Sequence, residues 1–319
     1  MKRFNKLAFA FTLGAAGLSA GQAWAETRVT YKSAKSTSSY YQMAVQLAEA
    51  VKKGSGGEMI LTVEESQGSV QNVKEAATRG GNYVFTTPPG LIKLAQGGKK
   101  MFEPKNAKFD EIRGLFPIPS LSMHFVVRQD SGINSFADLE GKTFLIGKGS
   151  FGAREAAKYL GLFGLEGKVN LAEVELSSAV SALKNKQIDG FATAGSYPAP
   201  NVLEAAASTD VNVLTLSDEQ IAQTKRDKLV IPAGTYKGVD SDVVTTTLPV
   251  MAYTTTEMND DTAYALTKTY WDNKAAMAET AKWWAGVSPD YLGAMAGKLH
   301  PGALKYYDEK GIAVPDALR

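Results

Sequence analysis

From Glu26 onward, short β-branched runs alternate with stretches whose apolar residues recur at helical spacing, the pattern of parallel sheets covered by helices. Arg28 to Tyr31 reads as the first strand. Tyr40 to Lys53 follows as a helix, with Met43, Val45, Leu47, Ala48 and Val51 on its apolar face. Met59 to Glu64 is a strand, and Ser69 to Arg79 a helix with a serine cap that runs into Gly80-Gly81. Tyr83 to Thr86 makes a short strand that Pro88-Pro89 stops. Ile112 to Phe116 is a further strand, broken at Pro117 and Pro119. His124 to Arg128 then starts a separate strand in a second lobe.

Within that lobe the pattern predicts a strand over Lys142 to Gly147, a helix from about Ala153, and strands near Asn170 to Glu175 and Gly190 to Thr193. A helix over Ser178 to Lys186 lies between the last two. Val243 to Thr255 is a long β-branched run with Pro249 as its one turn residue, and it reads as a return crossing to the first lobe. The tail from Asp260 to Tyr307 is helix-rich. No period of about 20 to 50 residues repeats, which argues against a solenoid. The fold class is α/β, in two lobes whose strand ends face a common crevice.

Composition adds a compartment. Met1 to Ala25 carries Lys2, Arg3 and Lys6, an apolar run from Leu7 to Leu18, and the small-residue site Ala23-Trp24-Ala25, the layout of a removable secretory leader. The run is too short to span a bilayer. The chain has no cysteine, so no disulfide, lipid-anchoring cysteine or thiolate metal site is available. Removing the leader takes three of the 35 basic residues and none of the 33 acidic ones, and 32 − 33 gives a net charge of −1. That balance and the lack of a basic stripe argue against nucleic acid as a partner. A periplasmic protein of about two domains is the expectation, on roughly 150 residues per domain.

Candidate chemistry collects where strands meet helices. Gly147-x-Gly149-x-x-Gly152 matches a dinucleotide fingerprint, with Glu173 and Glu175 further on. The same glycines let any anion approach the backbone at a helix N-terminus, so a carboxylate can use this cradle. Ser150 lies inside it, and Arg154 beyond it offers a planar fork for a carboxylate. Lys32 to Tyr41 holds more hydroxyls than a single helix cap needs: Ser33, Ser36, Thr37, Ser38 and Ser39, with Lys35 as counter-charge. Gln67, Gly68 and Ser69 occupy the next strand-to-helix turn, and Thr86-Thr87 ends the third strand. Tyr197, in Ser196-Tyr197-Pro198-Ala199-Pro200, follows a strand end and could close the crevice.

Catalytic signatures are absent from this reading. His124 and His300 fall in no metal spacing and no triad, there is no G-x-S-x-G elbow, and Asp240-Ser241-Asp242 and Asp260-Asp261 lack the calcium-loop layout. Trp271 and Trp283-Trp284 read as packing residues of the helical tail.

Several segments together carry a family resemblance that extends over essentially the whole mature chain. These are Ser39-Tyr40-Tyr41, Gly68-Ser69-Val70-Gln71-Asn72, Val126 to Ile133 with Leu139-Glu140-Gly141-Lys142, Ile188-Asp189-Gly190-Phe191, Ile231 to Tyr236, and Leu299 to Ala303 with Tyr306-Tyr307. On them the chain resembles the TAXI branch of solute-binding proteins of tripartite ATP-independent periplasmic (TRAP) transporters. The resemblance implies a two-lobed periplasmic binding protein fold, type II-like, with residues 26–120 and 246–319 forming lobe 1 and residues 121–245 forming lobe 2. It further implies a monomer with no cofactor, closing on a small carboxylate or amino acid and delivering it to a membrane permease driven by an ion gradient. The expected ligand-binding residues are Lys35, Ser36, Ser39, Tyr40, Gln67, Ser69, Thr86, Thr87, Ser150, Arg154 and Tyr197. Ala34 to Ser38 replaces the family's glycine-rich first loop, and Thr86-Thr87-Pro88-Pro89 its Gln-Ser-Asp run, which implies a smaller or differently charged anion than glutamate. Two other readings stay open: an exported NAD-dependent oxidoreductase using the glycine motif, and a binding protein that reports to a sensory receptor.

Overall fold

The computed structural model describes residues 26–147 and 150–319. The expected leader over residues 1–25 and Gly149 of the glycine motif therefore lie outside the described residues.

A βα pattern laid down once is laid down again. In the first half, β1 (Thr27–Lys32), α1 (Ser39–Gly54), β2 (Met59–Glu64), α2 (Ser69–Ala76), β3 (Tyr83–Thr87) and α3 (Pro89–Gln96) form a parallel unit in the order β2-β1-β3. The long strand β4 (Ile112–Arg128) follows. In the second half, β5 (Thr143–Leu145), α4 (Phe151–Leu162), β6 (Asn170–Ala172), α5 (Ala179–Lys184), β7 (Gly190–Gly195) and α6 (Pro200–Ser208) repeat the arrangement, with order β7-β5-β6. Then come β8 (Val211–Val213), α7 (Asp218–Thr224), β9 (Asp227–Ile231), β10 (Val243–Thr255), α8 (Asp260–Thr280), β11 (Lys298–Leu299) and α9 (Pro301–Glu309).

Strands β4 and β10 join the halves. They run antiparallel to each other, from Thr255↔Ile112 to Thr247↔Ser122; β3 and β11 pair with them at one end, and β7, β8 and β9 at the other. The predicted return crossing at Val243 to Thr255 matches β10. The expected break at Pro117 and Pro119 does not occur, because β4 continues through both prolines. Its ladder slips by a residue between Leu248 and Val250, which absorbs the missing proline N–H groups. Two carbonyls there take tyrosine hydroxyls instead: Tyr270 donates to Pro117 O at 2.7 Å and Tyr40 to Pro119 O at 3.2 Å.

Pro88-Pro89 ends β3 as expected, and Pro89 is also the first residue of α3, where its fixed φ and absent N–H cost nothing. Pro200 opens α6 in the same way. Helix α2 ends at Ala76 rather than Arg79, and its cap is Gly68 rather than a serine; φ 109° and ψ −162° put Gly68 in a region that a side chain would oppose.

The core is aromatic and spans the elements. Phe116 stacks on Tyr270 at 4.0 Å between centroids, and Trp284 Nε1 donates to Gln46 Oε1 at 2.7 Å, so the tail packs on the first half as expected. Both histidines are buried core residues. Tyr236 OH accepts from Ala199 N at 2.9 Å and donates to His124 Nε2 at 2.7 Å; His300 Nδ1 accepts from Gly302 N at 3.2 Å, leaving Nε2 to donate to Met258 O at 2.9 Å.

Burial lowers His124 to a pKa of about 4 and also lowers His300. Each is neutral when folded and titrates near 6.5 when unfolded, so the unfolded chain binds more protons below that value and stability falls with pH. From full strength above pH 6.5, the His124 contribution should shrink by roughly 2 kcal/mol by pH 5, at 1.36 kcal/mol per pH unit. Urea melts at pH 7.5 and 5.0 check this: His124→Gln should flatten the decline, and an equal decline in both proteins would remove His124 as its source.

Candidate functional site

The parallel units aim their loops at one place, because the carboxyl ends of β1 and β2 face those of β5, β6 and β7. A cavity of about 60 Å³ sits there. Ala34, Lys35, Ser38 and Tyr40 line it from the β1–α1 turn, and Gln67, Gly68 and Ser69 from the β2–α2 turn. From the other half come Ile146, Ser150, Phe151 and Gly152 around the start of α4, Glu175 and Leu176 ahead of α5, and Ala192, Thr193 and Ala194 of β7. Leu121 of β4 adds to the wall. The volume holds only a few waters, so the cleft faces are close together, far short of the roughly 300–1,000 Å³ of an ordinary ligand pocket.

Three helices begin at this cavity. Ser38 caps α1 by accepting from Tyr41 N at 3.2 Å, Gly68 caps α2, and Ser150 caps α4 by accepting from Ala153 N at 2.9 Å. Unpaired amide donors and the positive ends of three dipoles therefore converge on it. Gly152 permits the closest approach: a Cβ there would stand 2.8 Å from Ala194 Cβ, so a side chain would push the first turn of α4 off β7. Gly147 adopts a left-handed φ of 78°. Gly147 and Gly152 thus make a turn and a close-packed helix start.

A polar relay crosses the cleft. With its amide turned to satisfy both neighbours, Gln67 accepts from Lys35 Nζ at 3.2 Å and donates to Glu175 Oε2 at 3.1 Å. Lys35 and Gln67 belong to the first half, Glu175 to the second.

Of the residues singled out in the sequence, Lys35, Tyr40, Gln67, Ser69 and Ser150 line the cavity, and six do not. Ser36 is exposed; its backbone N–H donates to Glu65 Oε1 at 2.6 Å, and Ser36 holds the Glu65 carboxyl below its ordinary pKa. Ser39 is buried, with its hydroxyl accepting from Ser196 N at 3.0 Å, so it ties α1 to the end of β7. Thr86 and Thr87 are buried in the sheet; Thr86 Oγ1 donates to Tyr31 OH at 2.9 Å and Thr87 Oγ1 to Pro88 O at 3.3 Å. Arg154 is exposed on α4, and Tyr197 is half-buried against the second-half core. Tyr40 spends its hydroxyl on Pro119 O, and burial raises its pKa far above the ordinary tyrosine range.

Sequence reasoning treated Glu175 only as the acidic member of a dinucleotide motif, and it gave no role to Leu121, Ile146, Phe151 or Thr193. The apolar run Phe144-Leu145-Ile146 ahead of Gly147 and the alternation along β7 were the available signals, but neither says which face meets a ligand.

Beneath the first-half loops, Lys32 is buried and fixed by Glu64 at 2.5 Å and Glu75 at 3.0 Å. Burial opposes the Lys32 charge, yet the hydrogen bonds to both carboxylates outweigh it and raise its pKa. Asn72 adds three donations, to Lys32 O, Ser33 O and Thr86 O, and so locks the end of β1 to the end of β3.

Among the described residues no helix is long and apolar enough to cross a membrane, and no group of histidine, aspartate and glutamate residues could hold a metal ion.

Comparison with known proteins agrees with this architecture. A profile described as NMT1-like family matches residues 32–311. The structure of the periplasmic binding protein BugD superposes with a TM-score of 0.58 at 12% identity, covering 90% of this chain and 99% of that one. A structure from Bordetella bronchiseptica RB50 gives 0.50 at 18% identity, covering 91% of each chain. A variant of ArgBP from T. maritima gives 0.50 at 13% identity, covering 81% of this chain and 96% of the other. The fold is that of the two-lobed periplasmic binding proteins.

Proposed function

We propose that this chain, which belongs to the NMT1-like family, is an extracytoplasmic solute-binding protein for a small organic anion, a carboxylate or an amino acid. Three helix N-termini and Lys35 converge on one cavity between the halves, and that convergence carries the reading. Residues 26–120 and 246–319 form one lobe, residues 121–245 the other, and β4 and β10 are the connections about which they open. A ligand that touches both lobes stabilises the closed form, because only that form gains contacts on both sides. Ser39 and Ser196 hold the closed arrangement together at 3.0 Å, so Ser39 acts in closure rather than as a ligand contact. Ser69, Ser150 and the amides around them supply the donors.

The leader-like start of the chain supports export to the periplasm, and the segments shared with the TAXI branch support a TRAP permease as the partner that accepts the solute. A closed, loaded protein is then the species the permease recognises.

Thermal-shift screening of mono- and dicarboxylates, amino acids, keto acids and sulfonates tests the function. A ligand present at 100 times its Kd should add about 2.7 kcal/mol, which corresponds to roughly 4 °C in Tm for a chain of this size. Lys35→Ala should weaken the best compound by more than tenfold in titration calorimetry. If none of these compound classes moves Tm, the reading fails.

A further inference from the structure

The cavity has a negative pole as well as a positive one. Among the described residues, its charged side chains are Lys35 and Glu175, one from each half, and the Gln67 amide stands between them. Lys35 Nζ donates to the Gln67 oxygen at 3.2 Å, and the Gln67 nitrogen donates to Glu175 Oε2 at 3.1 Å. No cation among the described residues pairs with Glu175, so a neutral amide is what faces that carboxylate in the closed cleft. Glu175 is half-buried, and a cationic nitrogen there would give it a charge-assisted hydrogen bond stronger than the one the neutral amide supplies.

We infer, resting on the binding-protein reading above, that the solute is a small zwitterion with one carboxylate and one cationic nitrogen, and that Glu175 is the residue that selects the nitrogen. The carboxylate lies toward Lys35 and the helix starts at Gly68 and Ser150, where the donors are. The cationic nitrogen lies toward Glu175. The Gln67 amide sets the spacing of the two poles, and its own dipole runs between them. A dicarboxylate would bring its second anionic group against Glu175, where like charges repel. The apolar remainder of the wall, Leu121, Ile146, Phe151 and Leu176, suits an uncharged side chain on the solute. Because Lys35 and Glu175 sit on opposite sides of the cleft, a molecule bearing both charges adds a second link between the halves to the one its carboxylate makes through the helix starts at Gly68 and Ser150.

Titration calorimetry on the mature protein tests this with three matched probe sets: monocarboxylic amino acids with uncharged side chains and their betaines, the corresponding 2-keto acids, and the corresponding amines. The amino acids or betaines should bind best, and the keto acids at least tenfold more weakly. Glu175→Gln should cost the zwitterions at least tenfold while leaving keto acids within about twofold, since the carboxylate pole is untouched. Its melting curve without ligand should match the parent's within a few degrees, and Glu175→Asp should restore part of the selectivity. Keto acids or dicarboxylates binding as tightly as amino acids, or Glu175→Gln leaving the preference intact, would overturn the inference while sparing the binding-protein reading. Failure of all three sets together with the dicarboxylates would overturn both.

Discussion

Arg226→Leu is expected to lower stability by about 3–5 kcal/mol at neutral pH, the cost of leaving a buried charge without its partner. Glu155 lies on the buried face of α4, and Arg226 grips both of its oxygens, Nε at 3.1 Å and Nη2 at 2.8 Å. Glu155 is one turn past the helix start that lines the cavity, so this fork anchors the element that carries Ser150 and Gly152. Lys158, three residues further along, donates to Thr224 O at 3.0 Å and ties the same helix to α7. A second substitution, Glu155→Met, should recover most of the loss in urea denaturation, because two apolar side chains need no compensation. A double variant no better than the single one would show that packing of the arginine stem rather than charge accounts for the loss.

Gly152→Val should destabilise by about 3 kcal/mol, the upper range for forcing atoms into a filled site. It should also cut affinity for the best solute by more than tenfold. The reason is local: the first added carbon would already meet Ala194 Cβ at 2.8 Å and Ala194 N at 3.2 Å, and neither the strand nor the helix start can yield without moving the amides of α4 away from the cleft. Ala194→Gly in the same chain should return part of the stability and part of the affinity. Calorimetry and thermal melting of the three variants read both quantities, and a Gly152→Val protein that binds at parental strength would place the solute away from α4.

Much of the architecture was legible because βα alternation is written in periodicity, which is local. The return strand over Val243 to Thr255 was found because a β-branched run needs no knowledge of its neighbours. What failed were features whose sign depends on context. A proline breaks a central strand on its own, but at Pro117 and Pro119 a slipped register and tyrosine hydroxyls from α1 and α8 absorb the defect. Pro88-Pro89 does stop β3, and what the pattern left unread is that Pro89 and Pro200 also start helices. The candidate site was legible in its loops and not in its side chains. Strand-end turns were identified at Lys35, Gln67 and Ser150, and those turns do meet; within them, hydroxyls that cap, pair in the sheet or fasten the halves look identical in sequence to hydroxyls that face a solute. Arg154 shows the same limit: it lies two residues past cavity-lining Gly152 and is exposed, and spacing from the last glycine does not fix which way it faces.

The duplicated βα plan has a consequence for how a guest molecule chooses its direction. The turn after β1 corresponds to the turn after β5, and the turn after β2 to the turn after β6, so Ser38 matches Ser150, and Gln67 meets Glu175 from the corresponding position. In the proposed binding role the main chain presents two similar cradles, and by itself would accept a guest head-first from either side. Handedness of loading is left to the few positions where the copies diverge, with lysine on one and glutamate on the other.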